Sequence, residues 1–371
     1  MLTRSAVEAL EGEGLDNAAG LPPTANRLVP FFSIRPNGSG IGLALGRPAP
    51  AAEVIPGMLR RTLQWMSAQP RIFRFVRKNR LAQSFASRFV AGESLETAVA
   101  AAVLLKQRRI TASLDLLGES VTQPNEAEAA CLQYLDILGR MTAAGVEVNA
   151  SVKLTQMGLD IDPALCERNM RRILIEARAR GGFVRIDMES SDYTGQTLDF
   201  FEHRLLEDFR AHTGVVIQSA LRRSTQDIER LIALGARVRL CKGAYLEPAA
   251  VAYPDKKDVD DHYIRLLERL LQVGNYPGIA THDERMIRHA EQFAARHRIA
   301  AGRFEFQMLY GVRRDLQNRL RASGWNVRVY LPYGTQWYPY LMRRLAERPA
   351  NIGFILGNVM REGLSRKSIR N

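Results

Sequence analysis

With 371 residues and 46% hydrophobic content, the chain can bury the core of one barrel-sized domain of roughly 250 residues plus an extension, which excludes a small stapled module. Lys plus Arg number 52 against 39 Asp plus Glu, a formal net charge of +13, so a polyanionic partner has to be considered. Cys131, Cys166 and Cys241 are odd in number and include no C-x-x-C pair, which argues against a disulfide framework and a structural zinc site.

Residues 1–56, with LPPTANRLVP, RPNGSG and GRPAPAAE, are rich in Gly, Pro and Ala and read as a poorly ordered arm. They lack the apolar run of ~7–15 residues that a secretory signal needs. No stretch reaches the ~18 apolar residues of a membrane-spanning helix, so a cytoplasmic protein is expected. Residues 57–108 read as accessory helices that introduce the main domain, with Ser94 before the apolar run ETAVAAAVLL as a start signal. Within them, 58–91 carries Arg60, Arg61, Arg71, Arg74, Arg77, Lys78, Arg80 and Arg88 and no acid, interleaved with Trp65, Phe73, Phe75 and Phe89. Such a stretch suits a helix packed by its apolar side with solvated arginines, or peripheral contact with anionic lipid on the inner face of the plasma membrane.

From residue 109 to 371 short apolar runs alternate with amphipathic segments, the pattern of repeated βα units. Candidate strands are 110–117, 147–154, 183–189, 214–220, 237–243, 277–282, 303–309 and 326–332. Eight such units predict an α/β fold, a closed (β/α)8 TIM-like barrel with N-terminal accessory helices and a basic C-terminal tail. An open doubly wound sheet is the rival, and no G-x-G-x-x-G follows the first strand to support it.

Barrel strands should be almost continuously apolar, yet nearly every candidate strand has polar residues assigned to its C-terminal end. These are Asp115 and Glu119, Lys153, Asp187 and Glu189, Gln218, Arg239 and Lys242, Thr281 and His282, Glu305 and Gln307, and Tyr330. Their recurrence predicts one shared pocket that suits an anionic cofactor and a small charged substrate. No metal site is expected, because the six histidines include no H-x-H or H-E-x-x-H. No G-x-S-x-G or paired cysteine and histidine points to acyl transfer. After the eighth strand, YGTQWYPYLMRRLAERPAN places Tyr340, Arg343, Arg344 and Glu347 on one helix face. Two adjacent arginines on such a face suit bidentate capture of a carboxylate.

The tags FVAGES, LDLLGES, SVKL, IDMESSDYT, VIQSALRRS, VRLCKGAY, ATH, EFQMLYG and VRVYLPYGTQWYPYLMRRLAERPAN, in this order from Phe89 to Asn351, resemble bacterial monofunctional proline dehydrogenase. The resemblance implies FAD-dependent oxidation of L-proline to Δ1-pyrroline-5-carboxylate, with hydride passing from the ring carbon to flavin N5 and electrons going on to a membrane quinone. It implies that Lys153, Asp187, Tyr245, Leu309, Tyr330, Tyr340, Arg343 and Arg344 surround the proline, the two arginines holding its carboxylate. It implies that Met188, Gln218, Arg239, Cys241, Lys242, Gly243, Ala244, Thr281, His282 and Glu347 line the FAD, with Asp187 and Arg239 closest to the chemistry and Glu119 closing an ion-pair gate with Arg344. A fixed guanidinium at Arg239 would stabilise charge developing on the reduced cofactor. Asp187, Lys153 and water are all candidates to take the amine proton.

Two positions qualify the resemblance. Asp283 stands where the family commonly has Asn, and Tyr330 is absent from the hydroxyproline-oxidising relatives, so its ring should favour plain proline. Another cyclic amino acid as substrate is the enzyme alternative. A nucleic-acid-binding protein is the alternative of another class, disfavoured because no aromatic-rich binding motif accompanies the charge. With no aldehyde dehydrogenase domain, a separate pyrroline-5-carboxylate dehydrogenase is expected downstream.

Overall fold

The structure, a computed structural model, describes residues 87–347, with side chains followed as far as Met342. The expected arm (1–56), the first part of the expected accessory helices (57–86) and the basic tail beyond Glu347 lie outside the described residues. So does most of the basic 58–91 stretch.

Within the span expected to be helical, 87–94 is irregular and the helix α1 runs Leu95–Gln107. The physical reason is a competing partner for the backbone. Ala91 N donates to Pro332 O at 2.8 Å and Gly92 O accepts from Gly334 N at 3.1 Å, so this segment pairs with the last strand instead of with itself. Gly92 has φ +112, and a Cβ there would strike the Thr97 side chain, so only glycine fits the turn into α1.

From β1 (Thr111–Leu116) strands and helices alternate: α2 (Pro124–Ala143), β2 (Asn149–Val152), α3 (Pro163–Ala179), β3 (Phe183–Ile186), α4 (Ser191–Phe200), α5 (Leu206–Phe209), β4 (Thr213–Gln218), α6 (Ser224–Ala233), β5 (Arg237–Cys241), α7 (Lys256–Val273), β6 (Gly278–Ala280), α8 (Glu284–Arg296), β7 (Glu305–Leu309), α9 (Arg314–Ala322), β8 (Val327–Tyr333) and α10 (Trp337–Glu347). A π turn, Phe201–Leu205, joins α4 to α5. All eight strands are parallel, each pairs with its neighbour in sequence, and β8 pairs with β1 from Thr111↔Arg328 to Leu116↔Tyr333. The predicted closed (β/α)8 barrel is thus the fold, and each predicted strand overlaps an observed one, with β4 starting one residue earlier and β8 ending one residue later than expected.

Helix starts follow local chemistry. Asp162 accepts from Ala164 N at 2.9 Å and Leu165 N at 3.2 Å ahead of α3, whose first residue is Pro163, a preorganised N-terminus. Asp283 does the same for α8 through Arg285 N at 3.1 Å.

The strands alternate between two buried faces. Outward residues such as Leu114, Val152, Val184, Ile186, Val215, Ile217, Leu240, Phe306 and Val329 are apolar and buried under the helices. The inward face is polar and almost equally buried: Ser113, Asp115, Ser151, Lys153, Arg185, Arg239, Glu305, Gln307 and Arg328 are each less than one-tenth exposed. One expectation needs correction here. Glu305 opens β7, so it belongs to the N-terminal end of the barrel and not to the pocket end. There Arg328 Nε donates to Glu305 Oε1 at 2.7 Å and Arg328 Nη2 to Glu147 Oε1 at 2.7 Å. Arg185 lies in the same layer, donating to the Val215 carbonyl at 3.2 Å and to that of Arg237. A charge layer fills the barrel floor where apolar side chains are the rule.

Candidate active site

Above that floor the strands aim a second set of charges at the C-terminal mouth. Arg239, on β5, donates through Nη1 to Asp187 Oδ1 at 2.7 Å and through Nη2 to Ser151 Oγ at 3.2 Å, and its Nε donates to Gln307 Oε1. Asp187, just past β3, accepts on its other oxygen from the Tyr330 hydroxyl at 2.9 Å. The Arg239 guanidinium also lies 5.4 Å from the Tyr330 ring centroid, within cation–π range. Lys153, just past β2, donates to Asp115 Oδ1 at 3.2 Å, while Asp115 Oδ2 is buried with no hydrogen-bond partner. Lys153, Asp187, Arg239 and Tyr330 therefore converge from four strands on one spot.

The protonation states follow from burial and charge. Burial works against a charged Lys153, but Asp115, Asp187 and Glu119 outweigh it and raise its pKa, so it stays an ammonium. Burial raises the Asp115 carboxyl, with Lys153 opposing and Asp187 adding to the rise. Burial, reinforced by Asp115 and Asp187, pushes the Tyr330 phenol far up, so its hydroxyl remains a donor.

A second group gathers at the ends of β4 to β7. Gln218 Nε2 donates to the Glu189 carbonyl at 2.9 Å. Lys242 pairs with Asp260 at 2.6 Å and with Asp283 at 3.1 Å. Burial opposes the Asp283 charge, but the Lys242 bond and the Arg285 N–H outweigh it and lower its pKa, so Asp283 sits ionised against Lys242. Thr281 Oγ1 accepts from Asp283 N at 3.0 Å, and His282 Nε2 accepts from Leu309 N at 2.9 Å, so a neutral His282 carries its proton on Nδ1. Gly243 turns at φ +111, where a Cβ would press on Gln218 Oε1 at 3.1 Å and Ala220 Cβ at 3.3 Å. Met188 is buried, and Cys241, Ala244, Tyr245 and Leu309 are half-buried near the same strand ends. A cation, an amide, a hydroxyl and an imidazole on adjacent strands could hold an anionic group. Among the described residues no cluster of three or more His, Cys, Asp or Glu side chains could hold a metal ion.

Tyr340 is buried on α10 beside Trp337 and Tyr338, and Trp337 Nε1 donates to Glu93 Oε1 at 2.9 Å. The side chains of Arg343, Arg344 and Glu347 lie outside the described residues. Glu119, half-buried after β1, lines a groove of about 790 Å³ with Leu95, Thr122, Gln133, Gln156 and Thr335. Lys153, Asp187, Arg239 and Tyr330 do not line it. Buried ionisable groups converge in the inner cluster, a feature that functional sites share.

A family profile described as proline dehydrogenase matches residues 98–356. The chain belongs to the proline dehydrogenase family. A proline dehydrogenase from Deinococcus radiodurans is 42% identical over 315 residues, covering 83% of this chain and 100% of that one. Proline dehydrogenase 1 of Bacillus subtilis (strain 168) is 38% identical over 300 residues, covering 78% of this chain and 99% of its own. Among solved structures, proline utilization A from Bdellovibrio bacteriovorus matches with a TM-score of 0.69 at 23% identity, covering 82% of this chain and 39% of that longer one. This last likeness speaks for the barrel alone.

For a proline dehydrogenase family barrel, sequence reasoning singled out the mouth and passed over the floor. Arg185 and Arg328 stand mid-strand in FVRIDME and NVRVYLP, and a basic residue between β-branched neighbours was the available signal. Glu247 gave none: its carboxylate accepts from Ser191 N at 2.9 Å and from the Ser191 hydroxyl, tying the loop that carries Tyr245 to the start of α4.

Proposed function

We propose that the chain oxidises L-proline to Δ1-pyrroline-5-carboxylate with FAD as cofactor and passes the electrons to a membrane quinone, as the first step of proline catabolism. The observation that carries this reading is the convergence of Lys153, Asp187, Arg239 and Tyr330 at the mouth of a proline dehydrogenase family barrel. The donor set at the ends of β4 to β7 fits FAD. Gly243 offers a close backbone approach, Lys242 a cation for a pyrophosphate, and Gln218, Thr281 and His282 groups for hydrogen bonds. Bound there, FAD supplies the two-electron oxidant.

The remaining work belongs to side chains. Lys153, held as an ammonium by its acidic neighbours, attracts the substrate carboxylate and cannot serve as the base, which narrows the candidates for the amine proton to Asp187 and water. Arg343 and Arg344 supply the bidentate grip, from positions three and four residues after the buried Tyr340 on the α10 backbone. Glu119, on the β1–α2 loop, is the acid proposed to pair with Arg344 as a gate. Asp187, with each oxygen already accepting a bond, is fixed in orientation and presents its charge to the substrate amine. Arg239 is a preorganised cation on the side where negative charge develops, so no reorganisation is needed at the moment of reaction. Tyr330, whose ring lies beside the Arg239 guanidinium, would crowd a 4-hydroxyl on the substrate ring.

Purified protein should be yellow, and anaerobic L-proline should bleach it, faster than hydroxyproline or pipecolate does. A colourless protein, or a yellow one indifferent to proline, overturns the reading. The electron acceptor motivates a further expectation. The acid-free 58–91 stretch, with eight basic residues among aromatic ones, should bind anionic vesicles. Co-sedimentation that ignores lipid charge would count against it.

A further inference from the structure

Beneath the mouth, one amide links the two charged layers of the barrel. Gln307, on β7 and only 5% exposed, accepts from Arg239 Nε on its Oε1 and donates from its Nε2 to Glu305 Oε1 at 2.6 Å. Its orientation is determined without ambiguity. A guanidinium can only donate and an ionised carboxylate can only accept, so the amide cannot flip without losing both bonds. Glu305 is in turn held by Arg328 Nε at 2.7 Å, and Arg328 by Glu147 and the Ala112 carbonyl.

A second observation stands apart from these bonds. On the neighbouring strand, a Cβ at Gly278 would lie 2.8 Å from the Gln307 Cδ and closer still to its Nε2. The absent side chain on β6 is the space in which the amide lies.

We propose that Gln307 is a positioning residue that sets the plane of the Arg239 guanidinium, in a niche provided by Gly278 and anchored by Glu305 and Arg328. Asp187 and Ser151 take the two terminal nitrogens of Arg239, and Gln307 takes the remaining Nε. The three together leave the group no rotation about its stem. Without Gln307, Arg239 Nε becomes a buried donor lacking an acceptor, and the guanidinium is free to tilt toward a new one. This inference rests on the proposed flavin-dependent reaction, in which Arg239 faces the cofactor.

The test compares FAD-loaded wild type, Gln307→Leu, Arg239→Lys, the double variant and Gly278→Ala. The readouts are kcat and KM for proline, the flavin midpoint potential and the visible spectrum. Gln307→Leu should lower kcat roughly tenfold or more, move the potential to more negative values and leave KM within about twofold, because the substrate carboxylate is held elsewhere. In the Arg239→Lys background, which lacks Nε, the same change should add nothing to either readout. Gly278→Ala, which keeps the amide and displaces it, should reproduce the direction of both shifts and decides the matter if Gln307→Leu does not fold. An unchanged potential and kcat, a change confined to KM, or a full effect persisting without Arg239 overturns the positioning role alone. Wild type that holds no flavin, or is not bleached by proline, overturns the functional reading beneath it.

Discussion

Tyr330 holds the Asp187 carboxylate through a single hydroxyl. It donates to Asp187 at 2.9 Å, on the oxygen that Arg239 does not use, so the carboxylate is held from both sides. Tyr330→Phe keeps the ring and removes that donor, a loss of about 1.5–3 kcal/mol for a hydrogen bond to a charged group, on the order of tenfold to a hundredfold. The expected outcome is a fall of that size in kcat/KM for proline with the melting temperature little changed, read by steady-state kinetics and calorimetry. Lys153, Asp187, Arg239 and Tyr330 were legible as candidates because a charge or a phenol at a strand end is unusual in a buried sheet. Which of them touch was not, since they are contributed by β2, β3, β5 and β8 and meet only when the sheet closes.

At the scale of an element, β4 owes its place to one missing side chain. A Cβ on Gly214 would overlap the carbonyl oxygen of Arg237 and the Arg185 guanidinium. Neither can yield cheaply, because the carbonyl belongs to the paired strand β5 and Arg185 Nη1 is held between two carbonyls. Gly214→Ala should therefore cost on the order of 1–3 kcal/mol through overpacking and lower the Tm by several degrees, measured by thermal melting of the purified protein. The strands themselves were readable from runs such as GVVIQSA. The irregular segment 87–94 was not, because its backbone partners are residues of β8 and the following turn, far away in sequence. Local propensity cannot report a competition with such a distant segment.

Across the whole molecule, the charged floor makes acid the condition to fear. Burial alone would raise the Glu305 pKa, but Arg328 at 2.7 Å, with Gln307 and Arg185 adding to it, outweighs burial and holds the group below its ordinary 4.5. A carboxyl depressed in the folded state stabilises the fold above its unfolded pKa, and that contribution is lost as pH falls through the folded value. The barrel should accordingly lose stability as pH falls below 4.5, the ordinary value of an unfolded glutamate, followed by circular dichroism. Glu305→Gln should be destabilised by about 3 kcal/mol near neutrality, where it leaves Arg328 with a weakened buried partner, and should show a shallower acid decline than the parent.

The eightfold alternation, the hydrophobic outer face of each strand and the residue types available at each strand end were legible in the amino-acid order, because periodicity and composition are local properties of the chain. It took the folded barrel to place Glu305 on the floor while Gln307, two residues on, reaches Arg239, and to make Gly214 and Gly278 spaces for neighbouring side chains. Those outcomes depend on register between strands and on closure of β8 against β1. Register and closure are set by the packing of the whole barrel at once, and no single segment carries that information.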